Sequence, residues 1–106
     1  MRRLIFRGEI YYVKASETPE VWKPAVVVSN DRNNAHSDVV EVVYITNRDK
    51  KDLPTHVHTA ATGGHATVLC EQVNSIKKEK IGDFIGLMPT EELERIDEAL
   101  AISLGL

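Results

Sequence analysis

This chain has almost no cysteine, and no long apolar run interrupts its polar residues. The single Cys70 excludes an intrachain disulfide framework and the multi-cysteine patterns of zinc sites. Its setting, TVLCEQV, is typical of a buried, inert thiol. No apolar run approaches the ~20 residues that cross a bilayer, and the start MRRLIFRGEIYYV lacks the apolar core and cleavage site of a signal peptide. We therefore expect a soluble cytoplasmic protein that makes no membrane contact.

A strong net charge is also missing, because the 106 residues carry a formal charge of −3. Acidic side chains concentrate in residues 89–106, which leaves the rest of the chain close to neutral with basic clusters at 2–7, 48–51 and 77–80. Such clusters are compatible with binding a short anionic strand, although the composition alone does not define a nucleic-acid-binding protein. The length predicts one domain spanning residues 1–106.

Short β-branched and aromatic segments dominate the first four fifths of the chain and predict strands. They are GEIYYV (8–13), AVVVS (25–29), VVEVVYIT (39–46), THVHT (55–59) and ATVLCEQVNSI (66–76), the last as one long strand or two joined at a bend. Polar, turn-rich segments at 14–20, 30–38 and 47–54 predict loops. Residues 77–88, which contain two glycines, predict a short turn followed by an edge strand.

The apolar period changes to that of a helix after Thr90. Thr90 is a suitable N-cap, and Leu93, Ile96, Leu100 and Leu104 recur at helical spacing before Gly105 ends the pattern. We expect this stripe to pack in the core or in a dimer interface. The predicted fold class is therefore mainly β with a C-terminal α-helix, arranged as a small, strongly bent barrel.

Lys23 and Thr46 are predicted to meet at one rim of the sheet. Pro24 holds Lys23 in an extended conformation at the start of an apolar strand. If the strands at 25–29 and 39–46 are antiparallel neighbours, the start of the first lies beside the end of the second. A cation and a hydroxyl between the loops 14–22 and 47–54 would suit a phosphate group. Taken singly, Thr46 is also explained as the last residue of a strand and Lys23 as a solvated surface residue.

Histidine and tryptophan leave several interpretations open. His56 and His58 alternate along one strand and share a face, a spacing that could hold a metal if His65 joined them, but we expect solvent-facing side chains and no metal site. His36 and His65 lie in predicted loops, where either could supply a proton. Trp22 either stacks a base of a single-stranded nucleic acid or caps the core beside Pro24.

Six segments in order along the chain resemble the MazF/PemK toxin family. They are RGEIYYV, KPAVVVSND, VVYIT, LPTHV, VLCEQVNSI and IDEALAISLGL, and together they span essentially the whole chain. The resemblance implies a small SH3-like barrel that forms a homodimer. It also implies a sequence-specific endoribonuclease that cleaves single-stranded RNA, particularly mRNA, without a metal or other cofactor. Members are held inactive by an antitoxin (MazE-like) whose flexible C-terminal segment lies across the RNA-binding groove.

The same resemblance assigns roles to individual residues. Thr46 falls on the active-site threonine of the family, and Lys23 falls where the family usually has arginine. Gln72 and Leu53 match positions that read or approach the RNA. The loop carrying Glu17 and Glu20 corresponds to one that holds an acidic residue in some members, and either glutamate could act as the base. We take Glu20 as the candidate base and Glu17 as a candidate RNA contact. Lysine lacks the planar fork that grips two phosphate oxygens, so we expect slower cleavage than with arginine.

The expected chemistry uses the 2′-OH of the RNA as nucleophile and yields a 2′,3′-cyclic phosphate and a 5′-OH. In this scheme Lys23 acts on the phosphate or the leaving oxygen, Thr46 hydrogen-bonds a phosphoryl oxygen, and a glutamate takes the proton. Two other functions remain open: a toxin of the same fold that acts only by binding, as the CcdB gyrase poisons do, and a weakened member that binds RNA or antitoxin without cleavage.

Overall fold

The computed structural model describes residues 3–48 and 50–106. Within these residues, six strands and two α-helices are connected in an order that places one short helix after the first hairpin and the longer helix at the end of the chain. Their bounds are β1 (Glu9–Glu17), β2 (Glu20–Val27), α1 (Asp31–His36), β3 (Val39–Thr46), β4 (His56–Thr59), β5 (Ala66–Lys77), a 3-10 turn (Lys78–Lys80), β6 (Ile81–Leu87) and α2 (Thr90–Leu104).

The six strands form one antiparallel sheet in the order β4-β5-β3-β2-β1-β6, which curls into a half-barrel. The predicted fold class, mainly β with a C-terminal α-helix, is confirmed. The predicted pairing of the second and third strands is also confirmed, with Ala25 opposite Tyr44 and Val27 opposite Val42. β6 is an edge strand that follows a short turn, as the sequence indicated. No helix within the described ranges has the length and apolarity to span a membrane.

Two apolar clusters occupy the two faces of the sheet because its central strands alternate buried side chains between them. One lies under α2, where Ile96 and Ala99 pack against residues such as Val43 and Cys70. The other fills the inside of the curl and includes Tyr11, Ala25, Val27, Val42 and Ile81. Ala25, Val26 and Val27 are all 0–1% exposed, as expected for an uninterrupted apolar strand in the middle of a sheet.

The first two strands are longer than the sequence indicated, so the prediction of a loop over 14–20 was wrong. β1 continues to Glu17 and β2 begins at Glu20, so that a tight turn joins them. Residues 14–17 look like a loop because their polar side chains lie toward solvent on paired strands. Lys23 is therefore inside β2, opposite Val13, and does not stand at the mouth of a strand.

The helices also differ from expectation at their ends. The predicted turn-rich connection at 30–38 contains α1, because the Asn30 side chain accepts a hydrogen bond from the Asn33 amide at 2.8 Å and caps a helical turn. Thr90 is the first residue of α2 and not its N-cap, which is Pro89. Gly105 ends α2 in the left-handed region with φ of 72°, as predicted. Leu104 is exposed and lies outside the packed stripe.

Candidate active site

A cavity of about 600 Å³ opens where β2 and β3 diverge. Pro24 has no amide hydrogen, and the ladder between these strands stops at the residue after it, at Ala25 and Tyr44. The described residues that line this cationic cavity come from four strands and two loops: Tyr12, Lys23, Pro24, Tyr44, Ile45, Thr46, Asn47, Arg48, Lys50, Thr62, Leu69 and Gln72.

The structure brings Lys23, Thr46 and Gln72 together on the walls of this cavity. Lys23 and Thr46 each lie two residues beyond the Ala25–Tyr44 pair, which is the last pair of the β2–β3 ladder. Because side chains two residues apart on a strand point to the same face, Lys23 and Thr46 share one face of the sheet where the two strands diverge. The spatial prediction for this cation and this hydroxyl is met by the geometry; their catalytic roles remain a prediction.

Lys23 is exposed, and its Nζ lies 5.5 Å from the centroid of the Tyr44 ring. An ammonium group over an aromatic face is attracted by the ring quadrupole, which holds the lysine over the cavity without neutralising its charge. Burial raises the pKa of Tyr44 above its ordinary value, so the ring stays uncharged beside the ammonium at neutral pH.

Thr46 is held at the end of β3 by a turn of its own. Its Oγ1 accepts a hydrogen bond from the amide of Arg48 at 3.3 Å, a local arrangement that serine and threonine often make at strand ends. A hydroxyl that accepts in this way still has an O–H to donate. The same bond fixes the direction in which the chain leaves the strand, and therefore the start of the loop that carries Arg48 and Lys50.

The charges around the cavity have one sign. Lys23, Arg48 and Lys50 line it, and none of its described lining residues is acidic. A cleft with several cations and hydrogen-bonding side chains attracts a phosphate group more strongly than the overall charge of −3 suggests. The arrangement can bind a phosphodiester, donate hydrogen bonds to its oxygens and stabilise added negative charge on them.

Glu17 and Glu20 lie outside the lining of the cavity, at the turn of the β1–β2 hairpin. Lys14 pairs with both carboxylates, at 3.8 Å from Glu17 and 3.5 Å from Glu20. Glu17 also pairs with Lys80 at 3.5 Å, and Glu20 accepts a hydrogen bond from the Trp22 indole at 3.0 Å. These are exposed pairs in a polar hairpin, and the catalytic and RNA-binding assignments of the two glutamates remain predictions.

Trp22 lines a neighbouring cavity of about 360 Å³ together with Tyr12, Gly82 and Asp83. Its side chain is 42% exposed, and the ammonium of Lys14 lies 5.4 Å from its ring centroid. Tyr12 lines both this cavity and the cationic one. An aromatic platform thus lies next to the candidate phosphate site.

Leu53 lies on a different part of the surface. It lines a third cavity, of about 390 Å³, between β4 and α2, with His56 and Arg95 among its neighbours. The structure therefore does not bring Leu53 together with Lys23 and Thr46 on the walls of one cavity.

The histidines of β4 are not both directed to solvent. The His58 side chain is 61% exposed and lies 2.7 Å from Asp52, whereas that of His56 is only 5% exposed. The expectation of solvent-facing histidines is wrong for His56, because its ring is enclosed by polar partners on β5 and in the preceding loop. In the described part of the chain, no group of three or more His, Cys, Asp or Glu side chains is arranged to hold a metal ion.

Cys70 is fully buried in the cluster under α2, as its sequence context predicted. Burial raises the pKa of its thiol to about 12, and the neighbouring Glu71 carboxylate adds to the effect. The thiol is therefore protonated at neutral pH and is not a nucleophile.

Sequence reasoning missed Tyr12 and Tyr44 and treated Arg48 and Lys50 only as part of a basic loop. Tyr44 stands two residues before Thr46 on β3, so the two-residue period of a strand would have placed both on one face. Tyr12 was harder to find, since its position depends on the register of the β1–β2 hairpin, where it lies opposite Pro24.

The fold is that of a known class of protein. Residues 6–104 match the model of the PemK-like, MazF-like toxins of type II toxin–antitoxin systems. The chain is also 34% identical to the endoribonuclease EndoA of Bacillus subtilis (strain 168), with 97% of each chain covered. The chain belongs to the PemK-like, MazF-like toxin family, which confirms the resemblance seen in the six sequence segments.

Solved structures agree with this assignment. An endoribonuclease from a mycobacterial species superposes with a TM-score of 0.86 at 26% identity, covering 100% of this chain and 96% of the other. An endoribonuclease from a mycobacterial species in complex with its cognate antitoxin gives a TM-score of 0.85 at 26% identity and covers 96% of each chain. A MazE–MazF complex from Deinococcus radiodurans shares the fold, with a TM-score of 0.82 at 19% identity and coverage of 98% and 99%.

Proposed function

We propose that this toxin is an endoribonuclease that cleaves single-stranded RNA, particularly mRNA, at specific sequences. Family membership and the endoribonuclease relatives support the activity. The observation that carries the proposal is the cationic cavity, which Lys23 and Thr46 line together with Arg48 and Lys50. We propose that residues 1–106 act as one toxin domain, as a homodimer in the cytoplasm, where mRNA is translated.

The reaction needs no metal, because RNA supplies its own nucleophile. The 2′-oxygen attacks the adjacent phosphorus as its proton passes to a base, and the bond from phosphorus to the 5′-oxygen breaks as that oxygen gains a proton. The products are a 2′,3′-cyclic phosphate and a 5′-OH. Lys23 stabilises the phosphoryl oxygens or protonates the leaving oxygen, and Thr46 donates a hydrogen bond to a phosphoryl oxygen.

Glu20 is the proposed base, with Glu17 beside it as an RNA contact. Glu20 stands on β2, three residues before Lys23, but its carboxylate is engaged by Trp22 and Lys14. The base role therefore requires Glu20 to exchange these partners for the RNA. Glu20→Gln removes the basic group and retains the shape, so it should lower the cleavage rate constant far more than Glu17→Gln does.

We assign the RNA-binding surface to the cavity and its surroundings. Arg48 and Lys50 bind phosphates, and Gln72 contacts a base edge from β5. Leu53, which lines a separate cavity between β4 and α2, contacts a part of the RNA that lies beyond the cationic cavity. Trp22 stacks the base next to the bound phosphate, because the cavity it lines shares Tyr12 with the cationic cavity. An antitoxin inhibits by laying a flexible segment across the same surface, and the solved complexes of relatives with their antitoxins support this partner.

The decisive experiment is incubation of the purified chain with a long RNA in EDTA, beside Thr46→Val and Thr46→Ser. Valine matches threonine in shape but has no hydroxyl, so cleavage should fall by about 10²–10³, whereas serine should retain most of the activity. A matched RNA carrying 2′-deoxyribose at the cut position should be inert.

Other outcomes would replace this proposal. Cleavage of the 2′-deoxy substrate would overturn the mechanism, and equal activity of Thr46→Val and wild type would remove Thr46 from it. If the wild type does not cut RNA but Lys23→Arg does, the protein is a weakened member that binds without cleaving.

A further inference from the structure

The loop between β3 and β4 carries two of the cavity's three cations, Arg48 and Lys50, and its far end is attached to the ring of His56. Nδ1 of His56 lies 2.9 Å from the backbone carbonyl oxygen of Lys51, the residue directly after Lys50. Nε2 of the same ring lies 2.8 Å from Oε2 of Glu71 on β5. The ring therefore connects the loop to the neighbouring strand of the sheet.

Both contacts of the His56 ring are to oxygen atoms. A carbonyl oxygen and a carboxylate oxygen only accept hydrogen bonds, so the structure places an acceptor in front of each ring nitrogen. An imidazole satisfies both acceptors only with a proton on each nitrogen. The ring is 5% exposed and Glu71 is 39% exposed, so the contact to the carbonyl is shielded while the carboxylate keeps access to solvent.

Glu71 is suited to be the partner of a protonated ring. Burial by itself raises the pKa of this carboxyl, but hydrogen bonds from His56, the backbone and Thr55, with the attraction of His56, outweigh it and lower the pKa below its ordinary value. The surrounding charges are mixed. Arg95 and Glu98 of α2 line the cavity between β4 and α2 together with His56. The ion pair of His58 on β4 with Asp52 in the preceding loop lies nearby.

Backbone hydrogen bonds also hold the end of the loop against β4 and β5, but they do not involve the part of the loop that carries Arg48 and Lys50. The His56 amide donates to the Leu53 carbonyl at 3.0 Å, and the Cys70 amide donates to the Thr55 carbonyl at 2.9 Å. Both lie on the β4 side of Lys51. Among the described contacts, the ring bond to Lys51 is the one nearest to Arg48 and Lys50 from that side, as the Thr46 hydroxyl is from the other.

We propose that His56 is a positioning residue for the ribonuclease reaction. Its ring, oriented by Glu71, holds the Lys51 carbonyl and thereby keeps Arg48 and Lys50 against the cavity where the phosphodiester binds. This inference rests on the proposed function for its effect on RNA, but the attachment of the loop can be measured without RNA.

Two substitutions separate the two bonds of the ring. The amide nitrogen of asparagine occupies the place of Nδ1, so His56→Asn keeps the bond to Lys51 and removes that to Glu71. The amide nitrogen of glutamine occupies the place of Nε2, so His56→Gln keeps the bond to Glu71 and removes that to Lys51. Both remove the ring, and both should cost similar stability. His36→Gln, at the exposed end of α1, is a matched control.

The first measurement is amide hydrogen exchange without RNA. We expect exchange in residues 47–54 to be at least about tenfold faster in His56→Gln than in His56→Asn, while the strands exchange alike. The second is binding of a single-stranded RNA whose 2′-hydroxyls are all replaced by 2′-methoxy groups, so that it cannot be cut, at several salt concentrations. His56→Gln should bind about tenfold more weakly, and its logarithmic salt slope should be smaller by about 1 for each loop cation that no longer meets a phosphate.

The outcomes discriminate between the two proposals. Equal loop exchange and equal RNA affinity in the asparagine and glutamine variants would overturn the positioning role and leave His56 a purely structural residue. Faster loop exchange in His56→Gln supports the role even if the wild type cuts no RNA, a result that would instead reject the proposed ribonuclease activity. In a cutting enzyme, His56→Gln should raise KM more than it lowers kcat.

Discussion

At the scale of single residues, Lys23 determines how strongly the cavity can hold a phosphodiester. A lysine ammonium offers a compact point charge, whereas an arginine guanidinium offers a planar fork that binds two oxygens at once. The Tyr44 ring beside Lys23 accepts either cation, because guanidinium groups also stack on aromatic faces. Substitutions at residue 23 should therefore change the rate of RNA cleavage directly.

Replacing Lys23 by arginine should increase the single-turnover cleavage rate roughly tenfold, since the guanidinium can donate charge-assisted bonds to two phosphoryl oxygens at once, in a fixed geometry that the lysine ammonium lacks. Lys23→Met removes the charge and retains much of the apolar stem, so we expect it to lower the rate by about 10²-fold or more. Quenched-flow cleavage of a short labelled RNA would measure both. A rate for Lys23→Arg below that of wild type would show that the ammonium is needed for itself, for example as the proton donor.

The positions of individual side chains could be predicted from the sequence where they depend only on the alternation of residues along a strand and on the order of the strands. The antiparallel pairing of two consecutive apolar strands was enough to place Lys23 beside Thr46. The burial of His56 was not predictable in this way, because its two partners, Lys51 and Glu71, are contributed by a loop and by a strand 15 residues further on. Contacts of that kind depend on loop conformation, which no local pattern encodes.

At the scale of elements, β6 shapes the aromatic platform next to the cavity. Gly82 lies directly beneath Trp22: a Cβ there would be 2.8 Å from Cζ3 of the indole, closer than side-chain atoms approach each other. At Gly86, four residues along the same strand, an added Cβ would have the Ala61 carbonyl oxygen as its nearest neighbour, at 4.0 Å. The absence of a side chain at residue 82 therefore lets the indole lie over the edge strand.

Gly82→Ala should displace Trp22 and lower the free energy of unfolding by about 1–3 kcal/mol, the usual cost of overpacking. Gly86→Ala should be neutral or slightly stabilising, because alanine lowers the conformational entropy of the unfolded chain. Urea unfolding followed by the fluorescence of Trp22, the single tryptophan of the chain, reports both quantities. Identical emission spectra and stabilities for the two variants would contradict the packing of the indole on Gly82.

The elements also show where sequence patterns mislead. The polar residues 14–17 alternate on a paired, solvent-facing strand, and polarity without apolar alternation is indistinguishable from a loop. The segment NDRNNAH has the composition of a turn, yet one asparagine cap and an acidic first turn are enough for six residues of helix. Short polar elements are set by single hydrogen bonds and by tertiary packing, and both lie outside hydrophobic periodicity.

At the scale of the whole molecule, two ionisable groups are locked in the core in their neutral forms. Cys70 is fully buried under α2, and Tyr11 is buried on the opposite face of the sheet, where its hydroxyl donates to Glu9 at 3.0 Å. Burial raises the pKa of each to about 12, from 9.0 for the thiol and 10.0 for the phenol, with hydrogen bonding and charge of Glu9 adding to the shift of Tyr11.

The fold should therefore lose stability in alkali. A folded-state pKa above the unfolded one gives stability that is complete below the unfolded value and is lost as pH rises through the folded value. Each group should contribute a slope of up to ~1.4 kcal/mol per pH unit, between pH 9 and about 12 for Cys70 and between pH 10 and about 12 for Tyr11. Urea unfolding at pH 7.5, 9.5 and 11 would measure it. In Cys70→Ala the loss should begin nearer pH 10, and an unchanged onset would show that the thiol does not contribute.

The short ladder between β2 and β3 should allow the two halves of the sheet to move relative to each other. Within the described strands, the pairing of Ala25–Val27 with Val42–Tyr44 joins the half-sheet β4-β5-β3 to the half-sheet β2-β1-β6. Lys23 and Thr46 stand on opposite sides of this seam, so small hinge motions of the two halves change their separation directly. The seam would let the distance between the ammonium and the hydroxyl adjust around a bound phosphodiester. Amides along the seam should exchange with deuterium before those of the flanking β1–β2 and β3–β5 ladders.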